Sequence, residues 1–203
     1  MRRNMQHYLL IDTNPKMISS WNDFFENETN VKVLEGDITN VSCDAIVSPA
    51  NSFGFMDGGV DNAISLRLGW ELQNELQALI KKLPEGELLV GRSLILETGD
   101  DLIPYLISAP TMRVPMNFNI STSINAYLAM KAALIAAKTH EKITYVGIPG
   151  FCTGVGRMQT QIAARQMYQA FIEIEKGEKM DFNNFGDAQK YHRNINPQGM
   201  IFS

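Results

Sequence analysis

Short runs of apolar residues alternate along the chain with longer stretches in which apolar positions recur every three or four residues. The short runs predict strands, and the longer stretches predict amphipathic helices. The predicted strands are 8–11, 31–34, 45–48, 93–97, 105–108 and 143–148. The predicted helices are 15–25, 59–81 with an interruption near Gly69, 124–138 and 158–175. Such alternation is typical of an α/β protein in which helices cover both faces of a parallel or mixed sheet.

The length and composition predict one folded domain followed by a polar tail. A chain of 203 residues suits one domain, because ~100–200 residues per domain is usual. Its 45% hydrophobic and 20% charged residues are typical of globular proteins. After Lys176 the sequence becomes polar and rich in asparagine. We therefore expect 1–176 to form the domain, including the N-terminal strand and helix, and 177–203 to be a loose C-terminal extension.

The charge balance and the cysteines exclude several classes of function. The 18 Lys and Arg against 22 Asp and Glu give a net charge of −4, which offers no general attraction to a nucleic acid polymer or a membrane. Cys43 and Cys152 stand far apart, so we predict no disulfide framework, metal site or cofactor. The start has too short an apolar run for a signal peptide, and no stretch approaches the ~18 apolar residues of a spanning helix. The expected compartment is the cytoplasm of a microbe or of an infected host cell.

Three glycine-containing loops follow predicted strands, at 36–39, 50–61 and 149–157. The second loop places Gly58 and Gly59 at the start of a predicted helix, and the third loop repeats that design. Glycine lets a phosphate approach the backbone closely, and a helix N-terminus carries about half a positive charge. Two such loops at the carboxyl ends of the strands would form a cradle for a diphosphate.

Four motifs in a fixed order carry a family resemblance. They are Gly-Asp-Ile-Thr at 36–39, Asp-Ala-Ile-Val at 44–47 leading to Ala-Asn, Gly-Gly-Val-Asp-Asn-Ala-Ile at 58–64, and Thr-Gly-Val at 153–155. Their order and spacing resemble the macro domain family over about 31–175. The resemblance implies a three-layer α/β/α fold with a mixed central sheet, and ADP-ribose or a related nucleotide as the ligand.

The resemblance also implies a role for individual residues. Asp37 would accept a hydrogen bond from the adenine amino group, and the backbone amide of Ile38 would face the base. Asn51 would contact the distal ribose, and Asp61 would position or activate a water there, which makes these two the candidate catalytic residues. A carboxylate beside an anomeric carbon suits the hydrolysis of a glycosidic or ester bond. The remaining candidate binding residues are those of the two glycine loops: Gly58, Gly59, Val60, Thr153, Gly154, Val155 and Gly156.

The sequence departs from the family pattern in two of the loops. Met56 and Asp57 occupy the first two positions of what is a longer glycine run in many hydrolytic members, so we expect added bulk and a negative charge near the phosphates. The third loop lacks the aromatic residue that often precedes its last glycine. Phe53, Phe55 and Phe151 are the candidates to replace that aromatic residue.

Each site residue also has a purely structural interpretation. Asp37 suits a turn cap, Asn51 suits a local turn, and Asp61 is favoured in the first turn of a helix by ~0.3–1 kcal/mol whatever its function. The leading functional hypothesis is an ADP-ribosyl hydrolase that removes mono-ADP-ribose from an acidic side chain or cleaves an acetyl or phosphate ester of ADP-ribose. The alternatives are a non-catalytic module that binds ADP-ribose, an ADP-ribosylated protein or another NAD-derived nucleotide, and a structural viral domain.

Overall fold

The computed structural model describes residues 5–116, 120–178 and 180–197, and within them the chain forms six strands and six helices. The strands are β1 (His7–Asp12), β2 (Val31–Glu35), β3 (Ala45–Ser48), β4 (Leu94–Glu97), β5 (Tyr105–Ser108) and β6 (Tyr145–Ile148). The helices are α1 (Pro15–Phe25), α2 (Gly59–Leu68), α3 (Glu71–Ile80), α4 (Asn125–Thr139), α5 (Thr160–Glu175) and α6 (Phe185–Ile195).

The six strands form one mixed sheet in the order β2-β1-β6-β3-β5-β4. Neighbouring strands are parallel except for the edge strand β4, which runs antiparallel to β5. In the register, Leu10 pairs with Val33 on one side and with Ile148 on the other. The carboxyl ends of β1, β2, β3, β5 and β6 therefore lie at the same edge of the sheet, and this edge positions the candidate site.

Helices cover both faces of the sheet, which confirms the predicted three-layer α/β/α architecture. Successive side chains of a strand point to opposite faces. Ala45 and Val47 accordingly belong to the core that α1, α4 and α5 cover, with Trp21 fully buried in it. Ile46 belongs to the second core, which α2 and α3 cover with Ile64 and other apolar side chains.

Gly69 divides the long helical stretch after the second loop into α2 and α3. Its backbone φ angle is 100°, a value that residues other than glycine rarely adopt. The Gly69 N–H donates to the Ser65 carbonyl at 2.9 Å and so closes the last turn of α2. The predicted interruption near Gly69 is therefore confirmed, with α3 beginning two residues later at Glu71.

The polar C-terminal segment contains a helix where the sequence predicts loose chain. Asn184 caps α6 by accepting a hydrogen bond from the Asp187 N–H at 3.1 Å. Ile195 at the other end is buried in the first core, and Asn196 donates to the Ser123 carbonyl at 2.7 Å. One cap and one buried isoleucine thus order a helix whose remaining side chains are mostly polar. The division of the chain after residue 176 remains a prediction.

Disulfides, metal-binding clusters and membrane-spanning helices are all absent from the described ranges. Cys43 and Cys152 are both free and buried. Among the residues that the structure describes, no three His, Cys, Asp or Glu side chains are grouped to hold a metal ion. None of the described helices is both long and apolar enough to cross a membrane.

Candidate functional site

A cavity of about 540 Å³ opens at the carboxyl ends of the parallel strands. This volume lies within the ~300–1,000 Å³ typical of small-ligand sites. The loops 36–39, 50–61 and 149–157 all contribute to its lining. The structure brings every predicted site residue to this cavity, although their roles remain predictions. These residues are Asp37, Ile38, Asn51, Gly58, Gly59, Val60, Asp61, Thr153, Gly154, Val155 and Gly156.

A fourth segment, at the end of β1, also lines the cavity and was missed by the sequence analysis. Asp12 accepts hydrogen bonds from the Asn14 N–H at 2.8 Å and the Gly150 N–H at 3.1 Å. Asn14 caps α1 by accepting from the Lys16 N–H at 3.0 Å. Asp12 therefore ties the start of α1 to the third loop. The available signal was the Asn-Pro helix start directly after a parallel strand, since such strands end at one edge of the sheet.

Asp37 caps a short 3-10 turn, Ile38–Asn40, after β2. Its Oδ1 accepts hydrogen bonds from the Thr39 N–H at 2.9 Å and from the Thr39 hydroxyl at 2.8 Å. Its Oδ2 accepts no hydrogen bond from the described residues, and the side chain is exposed at the cavity. The structural interpretation as a cap is therefore correct, and one carboxylate oxygen is left for a ligand.

Asn51 holds the second loop in shape from inside. Its Nδ2 donates to the Phe55 carbonyl at 2.8 Å, while its Oδ1 accepts from the Phe53 N–H at 3.1 Å and the Phe55 N–H at 3.3 Å. The side-chain amide carries two N–H donors, so one remains beyond these contacts. The structural interpretation of Asn51 holds, and any sugar contact depends on that second N–H.

The expected bulk of Met56 near the phosphates is wrong. The Met56 side chain is fully buried in the second core and does not line the cavity. Its N–H donates to Gln73 Oε1 at 2.8 Å, and its carbonyl accepts from the Ser65 hydroxyl at 2.9 Å. These contacts turn Met56 towards the sheet and leave Asp57 exposed at the cavity. Of the two residues that depart from the family pattern in this loop, Asp57 reaches the cavity with its carboxylate and Met56 does not.

One of the three candidate aromatic residues lines the cavity. Phe151 is fully buried in the first core. The Phe53 ring lies 5.0 Å from the guanidinium of Arg113, which also pairs with Glu87 at 2.8 Å. Phe55 lines the cavity and is 53% exposed, so it is the one of these three candidates whose ring is available to a ligand.

The third loop is a compact turn that requires glycine at position 156. The Met158 N–H donates to the Cys152 carbonyl at 2.9 Å, which closes the loop on itself. A Cβ on Gly156 would lie 2.6 Å from the Ile120 side chain and 2.7 Å from the Cys152 carbonyl oxygen. Cys152 itself adopts a left-handed conformation with φ 62°.

The same turn leaves a run of backbone donors without partners. The four consecutive N–H groups donate to no oxygen of the described residues. They belong to the cavity-lining residues Thr153, Gly154, Val155 and Gly156. Backbone N–H groups are strong donors that are normally paired, and successive free N–H groups are typical of anion sites.

Asp61 lies in the first turn of α2, where only 9% of the residue is exposed. Its Oδ1 accepts a hydrogen bond of 2.5 Å from the Ser48 hydroxyl at the end of β3. Burial raises the pKa of the Asp61 carboxyl to about 7, and the Ser48 hydrogen bond opposes that rise. A carboxyl that titrates near neutral pH in a cavity suits proton transfer. Ser48 was missed by the sequence analysis, since its partner is 13 residues away.

Comparisons with known proteins agree with this architecture. A model of the family described as "Macro domain" matches residues 47–167. A protein of Aquifex aeolicus is 38% identical over 147 residues, which cover 72% of this chain and 83% of the relative. A macro domain-containing protein of Listeria monocytogenes is 31% identical over 136 residues, which cover 66% of this chain and 74% of the relative.

Solved structures share the fold. The Oceanobacillus iheyensis macrodomain with ADP has a TM-score of 0.60 and 24% identity, and the match covers 79% of this chain and 86% of that one. A mutant of the same macrodomain with ADPR has a TM-score of 0.61 and 23% identity, with 79% and 88% covered. The family model spans more than half of this chain. Together with these relatives, it shows that the chain belongs to the macro domain family.

Proposed function

We propose that this protein binds ADP-ribose, or a close relative of it, in the cavity between the loops. The observation that carries the proposal is the run of four N–H groups from Thr153 to Gly156, which donate to no oxygen of the described residues and line the same cavity as the N-terminus of α2. A diphosphate would accept from these donors, and the positive end of the α2 dipole favours an anion there.

The first loop supplies the contacts proposed for the base. The Oδ2 of Asp37, which accepts from none of the described residues, is an acceptor for the adenine amino group, while Oδ1 stays with Thr39. An acceptor in this position favours adenine over guanine, whose corresponding position carries a carbonyl. The Oceanobacillus iheyensis macrodomain, with the same fold, has been solved with ADP and with ADPR, and this supports the choice of ligand.

Hydrolysis of an ADP-ribosyl bond is a second candidate function, and Asp61 is the observation that favours it. In the proposed step, the oxygen of a water forms a bond to the anomeric carbon of the distal ribose. The bond from that carbon to the carboxylate oxygen of a modified side chain breaks, and Asp61 takes the proton from the water. A pKa of about 7 leaves a large fraction of Asp61 ionised and ready to accept it at neutral pH.

Binding is tested by calorimetric titration with ADP-ribose, with Gly58→Val as the cavity variant. Gly58 has φ −132° and ψ 147°, and a Cβ there meets no atom within 4 Å. Valine is therefore compatible with the fold but adds bulk to the lining. We expect saturable binding by the natural protein and a large loss in the variant at an unchanged melting temperature. Equal affinity in both would contradict the proposed site, and no binding by the natural protein would contradict the ligand.

Hydrolysis is tested on a protein that carries mono-ADP-ribose on a glutamate. The natural protein is expected to release ADP-ribose, and Asp61→Asn to bind it without release. Asp101→Asn is the matched control, because Asp101 is exposed on the β4–β5 connection at the opposite edge of the sheet. Tight binding without release by the natural protein would instead identify a binding module.

A further inference from the structure

We propose that the cavity rejects ligands with a phosphate on the distal ribose and accepts those whose distal substituent is neutral or cationic. Asp57 is the specificity-determining residue. This inference rests on the proposed function and narrows it. It favours ADP-ribosyl esters of side chains and nucleotides with a cationic group, such as a pyridinium or guanidinium, over phosphate esters of ADP-ribose.

Within the described ranges, the charged side chains that line the cavity are all carboxylates. Asp12, Asp37, Asp57 and Asp61 line it, and no Lys, Arg or His is among the lining residues that the structure describes. A diphosphate bound there would depend on backbone N–H groups and the dipole of α2. A further phosphate would add negative charge, and no cationic side chain among the described lining residues would balance it.

Three of the four carboxylates are engaged by donors from the protein. Asp12 accepts from two backbone N–H groups, Asp37 accepts from Thr39, and Asp61 accepts from Ser48. Asp57, in contrast, accepts no hydrogen bond from the described residues and is exposed. Asp57 is therefore the carboxylate of the wall whose charge no donor of the described residues offsets.

Asp57 also has the position needed to act on the distal end of the ligand. It directly precedes Gly58, which caps α2, and Asp61 follows one turn later. The loop is fixed in shape by the hydrogen bonds of Asn51 to Phe53 and Phe55. Asp37 follows β2, whereas the loop of Asp57 and Asp61 follows β3, and β1 and β6 lie between these two strands in the sheet. In the proposed orientation, with Asp37 at the adenine, this loop therefore faces the distal ribose. A phosphate on that ribose and the Asp57 carboxylate repel each other.

The test compares dissociation constants for ADP-ribose and ADP-ribose 1″-phosphate. Calorimetry is performed on the natural protein, on Asp57→Asn and on Asp101→Asn, the last being an exposed aspartate remote from the cavity. Phosphate release is followed in the same samples. We expect the natural protein to bind the phosphate ester more weakly than ADP-ribose. Asp57→Asn should lower the ratio of the two dissociation constants, phosphate ester over ADP-ribose, by about fivefold, which is the effect of removing one of two charges ~4 Å apart in water. The Asp101→Asn variant keeps the natural ratio.

Salt supplies an independent arm of the same test. Raising the ionic strength from about 0.1 M to about 1 M shortens the screening length from ~10 Å to ~3 Å. The ratio of the two dissociation constants should therefore fall as the ionic strength rises in the natural protein, and it should fall less in Asp57→Asn. A ratio that is the same in both proteins, or rapid phosphate release from the ester, would overturn the inference and leave ADP-ribose binding intact. Failure of ADP-ribose itself to bind would overturn the proposed function instead.

Discussion

Replacement of Asp61 by asparagine is expected to change the stability of the protein in a pH-dependent way. Burial raises the pKa of this carboxyl from an ordinary 3.8 to about 7. In the unfolded chain the carboxyl loses its proton near the ordinary value, whereas the native state retains the proton until about pH 7. The contribution of this bound proton to the free energy of unfolding is therefore fully present below pH 3.8 and is lost as the pH rises through the native pKa.

The size of the effect follows from the two pKa values. Each unit of pKa difference is worth 1.36 kcal/mol, so the whole shift corresponds to about 4 kcal/mol of lost stability above pH 7. Between pH 5 and pH 8 the loss is about 2.5 kcal/mol, because part of it has already occurred by pH 5. Asparagine cannot ionise. The free energy of unfolding of Asp61→Asn, relative to the natural protein, should therefore rise by about 2.5 kcal/mol over this range.

Urea unfolding of both proteins at several values between pH 5 and pH 8 measures this difference. Asp57→Asn is the matched control, because Asp57 is in the same loop but exposed. The free energy of unfolding of this surface variant should stay within about 0.5 kcal/mol of that of the natural protein at every pH in the range. The reasoning is refuted if the difference between Asp61→Asn and the natural protein does not change with pH.

Two further predictions concern the contacts around the same loop. The Ser48 hydroxyl lowers the pKa of Asp61, so Ser48→Ala should move the carbon-13 NMR titration midpoint of the Asp61 carboxyl upward. A midpoint that stays in place would show that the hydrogen bond has no effect on the carboxyl. Met56→Ala should cost about 2–5 kcal/mol in urea unfolding, because it leaves a cavity in the second core. A loss as small as that of Asp57→Ala would contradict the buried position of Met56.

The pattern of apolar residues was sufficient to predict the layers of the fold. Buried parallel strands appear in the sequence as short apolar runs. The helices that cover them each carry one apolar face, so their apolar residues recur every three or four positions. The interruption at Gly69 was visible because glycine is the residue suited to its positive φ. The helix α6 was not predicted, since its packing depends on Ile195 and on hydrogen bonds such as that of Asn196.

The loops that line the cavity were predicted for a topological reason, and the details inside them were not. Loops that follow parallel strands meet at one edge of the sheet, and glycines marked three of them. The inward turn of Met56 depends on Gln73 and Ser65 from later helices, so no local pattern reveals it. The same holds for Asp12, whose carboxylate reaches Gly150 across 138 positions of the chain.

The central claim is that ADP-ribose binds in this cavity with its adenine at Asp37. It is tested most directly by calorimetric titration of the natural protein and of Asp37→Asn with ADP-ribose. Asparagine retains an oxygen that can accept from Thr39, but it places an amide donor where the free carboxylate oxygen stood. We predict saturable one-to-one binding that weakens by about tenfold or more in the variant, as expected for a lost hydrogen bond to a charged acceptor. No saturable binding of ADP-ribose by the natural protein, or equal affinity in both proteins, would contradict the account.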